Sequence, residues 1–324
     1  MKVLLTLALA AFALSLSVRA EDATWIDPAK AAAEDPDFSI QGEYGSGKPG
    51  ADWGLQVVAL GDGRFDGYLL EDGLPGLGWE RGKRRLKLSG ERKGDTTTLK
   101  GGEVEVRIKD EVAGFAIDGK AHMMSRIERE SPTLGAKPPE GAVVLFDGTS
   151  ADAWNNGQMD GDLLVNSDAI SKQKFDAYTL HLEFRTPYKP HARGQKRGNS
   201  GVYHQGRYET QILDSFGLEG RSNEAGGIYS VADPKLNMCL PPLAWQTYDV
   251  DFTGPKWKDG KKVENARITV RLNGVLIHEN QELPKSTAAA KFKESPEPGP
   301  IYLQHHGNPI RFRNIWVVPG EAAD

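Results

Sequence analysis

Short apolar–polar alternations, broken by turn signals about every 8 to 12 residues, limit what this chain can become more than any other feature. Between Phe38 and Glu130 the turn signals are Gly61-Asp62-Gly63, Asp72-Gly73, Lys93-Gly94-Asp95, Gly101-Gly102 and Asp118-Gly119. The runs between them, Gly54–Leu60, Phe65–Leu70, Arg84–Glu91, Val104–Lys109 and His122–Glu128, have strand length and a period of two. Residues 21–130 are therefore expected to form a small all-β barrel or sandwich. One short helix is expected over Asp27–Glu34, with Pro28 near its start and Asp35-Pro36-Asp37 at its end. Trp53, Tyr68 and Trp79 fit either a sugar platform or core packing.

The stretch 131–140, SPTLGAKPPE, has three prolines and no apolar period, and reads as a linker. A second β-rich unit is expected over 141–320. Its strands are Leu163–Asn166, Tyr178–Arg185, Val202–Gln205, Tyr208–Leu213, Trp245–Phe252, Ala266–Leu272, Val275–His278, Pro300–Gln304 and Ile310–Val318. Asn273-Gly274 between two of these is a strong hairpin signal. Many strands joined by long loops suggest a two-sheet sandwich of the jelly-roll kind, so the whole chain is expected to be all-β.

Residues 1–20 have the anatomy of a secretory leader. Lys2 precedes the apolar run Val3–Leu16, and Ala20 precedes acidic Glu21-Asp22, so cleavage is expected after Ala20 and the product is expected to be periplasmic or secreted. The run is too short for a membrane span. With a net charge of −5 and only the small basic cluster Lys83-Arg84-Arg85, a nucleic-acid partner is not indicated. The single cysteine, Cys239, cannot form an internal disulfide, so the core alone must hold the fold. It reads as a buried structural thiol or a nucleophile. Oligomeric state is not legible.

Several strands of the second unit carry polar residues at two-residue spacing. Glu209 and Gln211 share one strand face, His181, Glu183 and Arg185 another, and Tyr302, Gln304 and His306 a third. Polar outer faces are ordinary in antiparallel sheets, but Glu, Gln, His, Tyr and Arg suit a binding site better than mere solvation. A β-glucanase-like glycosidase would need paired carboxylates. Glu209-Thr210-Gln211-Ile212-Leu213-Asp214 has that outline with Gln in the middle, and Asp214 would face away without a bulge. Glu183, Glu209 and His306 are suitable types for a divalent cation, without a tight spacing motif.

Nine ordered motifs over Gly141–Pro319 then make the second unit resemble the 3-keto-disaccharide hydrolase family. They are LFDGTS at Leu145, LHLEFR at Leu180, GNSGVY at Gly198, YETQILD at Tyr208, GGIYSV at Gly226, AWQTYDV at Ala244, LNGV at Leu272, GPIYLQHHG at Gly299 and FRNIWV at Phe312. The resemblance implies a concanavalin-like sandwich that cleaves 3-keto-glycosides by elimination and hydration. It suggests Glu209 as general base, with His306 as its acid–base partner or a metal ligand. Asn199, Gln211 and Gln304 would hold sugar hydroxyls, and Tyr229 would stack on the ring. Glu183 and Arg313 would support the site or the enolate charge, a role a divalent cation could also take, with Glu209, His306 and Glu183 as its ligands. The loop Lys189–Arg197, with His204 and His305, departs from the family pattern and bears on substrate choice. A non-catalytic, lectin-like carbohydrate-binding protein is the main rival, since one fold hosts both; a conventional glycosidase is the third.

Overall fold

The computed structural model describes residues 23–320; the leader expected over residues 1–20 lies outside them. Asp27 caps a helix over Pro28–Glu34, accepting from the Lys30 amide at 2.8 Å. Asp35-Pro36-Asp37 ends that helix as expected but also starts a second, Pro36–Ile40, in which Asp35 accepts from Asp37 N. A proline at the first helical position gives up no bond, so the stop signal serves equally as a start.

Residues 42–127 form a closed barrel of eight antiparallel strands in chain order. The first, Gly42–Tyr44, pairs with Trp53–Gly61 on one side and with the last, Lys120–Ile127, on the other, which removes both edges. Leu55, Val57, Ala59, Leu69, Leu88, Leu99, Val106 and Ala113 fill the interior with no exposed surface. Each large aliphatic side chain buried this way contributes roughly 1.5–3 kcal/mol. Trp53, Tyr68 and Trp79 are buried too, so they belong to the core and not to a sugar platform.

Beyond residue 140 two sheets pack face to face. One has five strands, ordered Trp154–Asn155, Ala169–Phe175, Gly299–Leu303, Ser200–His204 and Tyr208–Ile212. The other has eight, with Ala177–Arg185 between Arg311–Pro319 and Gln246–Thr253. Leu180, Leu182, Phe184, Val250 and Phe252 from the larger sheet meet Val202, Tyr208, Ile212, Ile301 and Leu303 from the smaller in one cluster. This is the expected β-sandwich. Asn273 and Gly274, both with positive φ, make the turn where Leu272 pairs with Val275. Cys239 is buried and unpaired, and burial pushes its thiol up to about 12, leaving a structural residue. Among the described residues no helix is long and apolar enough to cross a membrane.

Barrel and sandwich share their cores. Val58, Tyr68, Leu70, Leu74 and Trp79 of the barrel join the sandwich cluster, while Tyr188 and Leu243 of the sandwich join the barrel cluster. The proline-rich connection lies flat on the outer face of the larger sheet. Ser131 bonds Thr247 at 2.6 Å, Thr133 donates to Asp249 at 2.7 Å, and Ala136 accepts from Asn314 and Trp316.

Candidate active site

The hairpin of Ser200–His204 and Tyr208–Ile212 sets the site. Its register places Gly201 opposite Gln211 and Tyr203 opposite Glu209. Gln205 and Gly206, both in the left-handed region, turn the chain between them. Val202, Tyr208 and Ile212 point into the sandwich core, which leaves Tyr203, Glu209 and Gln211 on the outer face of the smaller sheet.

That face is not bare. Gly226, Gly227 and Tyr229 hydrogen-bond along the edge strand, with Tyr229 N donating to the Glu209 carbonyl at 3.2 Å. Along the same edge Thr287 Oγ1 accepts from Glu209 N at 3.0 Å. Over this face is a cavity of about 170 Å³, lined by Gln195, Asn199, Tyr203, Glu209, Gln211, Tyr229, Ala288, Ala289, Gln304 and His306. Smaller than a drug-sized site, it suits a single sugar ring. Three hollows are roomier. One, of about 310 Å³ beside Trp245, contains Glu43 already gripped by Arg129; another, of about 640 Å³ on the barrel wall, is lined by paired charges such as Lys100–Glu105; the third, of about 240 Å³ beside Trp53, has Asp72 paired with Lys83 and Asp118 with Arg84.

Glu209 is the only carboxylate among the residues lining the smaller cavity, and it is 3% exposed. Its Oε2 accepts from the Tyr203 hydroxyl at 2.8 Å, and Tyr203 in turn accepts from Gln304 Nε2 at 3.2 Å. Burial raises the Glu209 carboxyl to about 8, against the smaller lowering effect of the Tyr203 bond. Burial and the adjacent Glu209 hold Tyr203 above its ordinary value, so the phenol keeps its proton. With its amide nitrogen toward Glu209, Gln211 donates to Glu209 Oε1 at 2.8 Å and to Ser200 O at 3.2 Å.

The structure brings together Glu209, Gln211, Asn199, Tyr229, Gln304 and His306. Glu183 and Arg313 are not with them. Glu183 is on the outer face of the larger sheet, bound by Arg313 Nε at 2.6 Å, Asn314 Nδ2 at 2.9 Å and Gly135 N at 2.6 Å. The full thickness of the sandwich, with sheets roughly 10 Å apart, separates it from Glu209. Alternation fixes which residues share a face but not which sheet that face belongs to. Glu183, Glu209 and His306 are consequently not one ligand set, and no metal-binding group of three His, Cys, Asp or Glu side chains occurs among the described residues. Asp214 is buried against Arg197, 2.6 Å away, and does not line the cavity, so a paired-carboxylate arrangement with Glu209 is not formed. His204 faces the core, where burial lowers it to about 3 and it bonds Tyr178 and Thr210. His305 bonds the Asn166 carbonyl.

Three contributors were not singled out from sequence. Tyr203 was recoverable, because a turn at Gln205-Gly206 sets it opposite Glu209. Gln195 comes from a loop with no period to read. Gly201 is a position where a side chain is excluded: a Cβ would lie 2.2 Å from Glu209 Oε1. Gly201→Ala is expected to displace the carboxylate and cut kcat about 100-fold, the scale of a 1 Å misplacement. The far-ultraviolet circular dichroism spectrum should stay unchanged; steady-state kinetics beside that spectrum checks this.

Residues 141–318 match the model of the 3-keto-alpha-glucoside-1,2-lyase-like domain. A crystal structure of a protein provisionally named a glycosyl hydrolase, from Parabacteroides distasonis, is similar at 32% identity with a TM-score of 0.52, covering 56% of this chain and 85% of that one. A second structure of the same description and organism matches at 19% identity and a TM-score of 0.41, covering 56% and 95%. No curated protein matches the chain.

Proposed function

The chain belongs to the 3-keto-alpha-glucoside-1,2-lyase-like domain family, and from that premise we propose that it is a glycoside-processing enzyme that cleaves 3-keto-glycosides by elimination and hydration. A ketone at carbon 3 acidifies the hydrogen on carbon 2. Glu209 as carboxylate takes that proton, giving an enolate whose oxygen accepts from neighbouring donors; Tyr203 and the Gln211 amide are the candidates. The bond from carbon 1 to the leaving oxygen then breaks, and that oxygen takes a proton from His306 or water. Water adds to carbon 1 of the enone, its released proton goes to the group that protonated the leaving oxygen, and Glu209 returns its own proton to carbon 2, so the net change is hydrolysis.

The observation that carries this proposal is a lone buried carboxyl, raised to about 8, at the floor of a ring-sized polar cavity. A base near 8 is matched to proton abstraction from carbon, and elimination needs no second carboxylate. A leader of the kind read in residues 1–20 would put the reaction in the periplasm or outside the cell. Incubating the protein with a 3-keto-glucoside and with its unoxidised parent tests the proposal. Cleavage of the keto compound alone is expected. Turnover of the parent would point to a direct glycosidase, and binding without turnover of either to a lectin-like role.

A further inference from the structure

The cavity wall that carries Gln195 is built on the barrel. Residues 189–197 lead into the hairpin, and contacts with the barrel and with the helical segment just before it hold them at both ends and in the middle. At the start, Tyr188 exchanges two backbone bonds with Trp25, places its ring in the barrel cluster and donates to Asp35 at 2.9 Å. In the middle, His191 packs so closely on Gly61 that a Cβ there would lie 2.3 Å from the ring. Arg193 donates to the Leu60 carbonyl at 3.0 Å. At the end, Arg197 donates to Ala59 O at 3.1 Å and Gln41 Oε1 at 3.3 Å, while its Nε holds Asp214 just beyond the strand of Glu209. Between these ties Gln195 accepts from Asn199 at 3.1 Å, lies 2.9 Å from the Gln211 amide and donates to Asn223 O at 2.8 Å.

We propose that the barrel, although outside the family match, is a working part of the site: it holds the 189–197 loop and so fixes Gln195 as a specificity-determining residue of the cavity. The inference rests on the proposed function for its substrate. A wall ordered in advance by the barrel spares the substrate the entropic cost of ordering it, and that gain appears in binding. A loop held only for stability would leave binding untouched when loosened.

The test uses the full chain. His191→Ala with Arg193→Ala cuts two barrel ties on a partly exposed loop, a safer choice than Arg197→Ala, which would strand the buried Asp214. The double variant is expected to raise amide hydrogen exchange over residues 189–197 about tenfold. It should raise KM for the 3-keto-glucoside roughly fivefold, the scale of one hydrogen bond, with kcat within twofold. Gln195→Ala should raise KM by a similar factor, and the triple variant should go no further than Gln195→Ala alone. Unchanged exchange overturns the claim that the barrel holds the loop. Faster exchange with unchanged KM, or factors that multiply in the triple variant, overturns the role in specificity. If the wild type turns over no keto-sugar, the proposed function fails instead, and the exchange measurement still decides whether the barrel holds the loop.

Discussion

Glu209→Gln should abolish turnover of the 3-keto-glucoside, by about 10³-fold or more, and at the same time make the protein harder to unfold. The first effect follows from removing the only carboxylate among the described residues that line the cavity, within the range expected for general-base catalysis. The second follows from its burial. The folded-state value, about 8, is above the ordinary 4.5. Below about pH 4.5 the acid is protonated in both states and costs nothing. Between 4.5 and 8 the unfolded chain ionises while the folded one resists, so stability is lost as pH rises, and above 8 the full penalty remains. That penalty is of order 3–5 kcal/mol. The variant amide can still accept from Tyr203 and donate toward Gln211. Its melting temperature should therefore exceed the wild type's by several degrees at pH 8.5, converging near pH 4.5. Wild-type kcat/KM should climb with pH and level off above about 8. A variant that loses activity and also melts lower at pH 8.5 would mean that the carboxylate is structural.

Where a local rule decides, the sequence was enough. Two left-handed residues at Asn273-Gly274 make a hairpin whatever surrounds them, and alternation in Tyr208–Leu213 puts Glu209 and Gln211 on one face. The strand Ala169–Phe175 escaped notice because an irregularity between Ile170 and Lys174 breaks its period. Gly42–Tyr44 is only three residues long, too short to show a period, yet it closes the barrel. The proline-rich 131–140 has no pattern of its own, and the bonds that seat it come from residues 48 to 180 positions away. Glu183 shows a different limit: its strand face was read correctly as polar, but the sheet that owns the face is a property of topology.

That placement gives Glu183 the opposite behaviour from Glu209. Burial alone would raise its carboxyl, but hydrogen bonds from His181, Asn314, Arg313 and Gly135 prevail and hold it at about 2. Its stabilisation is thus complete above about pH 4.5 and is lost as pH falls through about 2, worth roughly 3 kcal/mol at neutral pH. The same carboxylate fastens the 131–136 segment through Gly135 and neutralises the half-buried Arg313, which also stacks 4.1 Å over Trp245. Glu183→Gln should lower the neutral-pH melting temperature by roughly 6–12 °C and flatten the loss of stability between pH 4.5 and 2. Its kcat on the keto-glucoside at 25 °C should stay within twofold of wild type, because the cavity lies across the sandwich. Thermal melts at pH 7 and pH 3 beside a single kinetic run separate the cases. A collapse of kcat with an unchanged melt would make Glu183 part of the chemistry, and would require the two outer faces to communicate through the core, whose polar links between the sheets, Tyr248 to the Gln211 carbonyl at 2.6 Å and Tyr178 to His204 at 2.9 Å, do not bond Glu183.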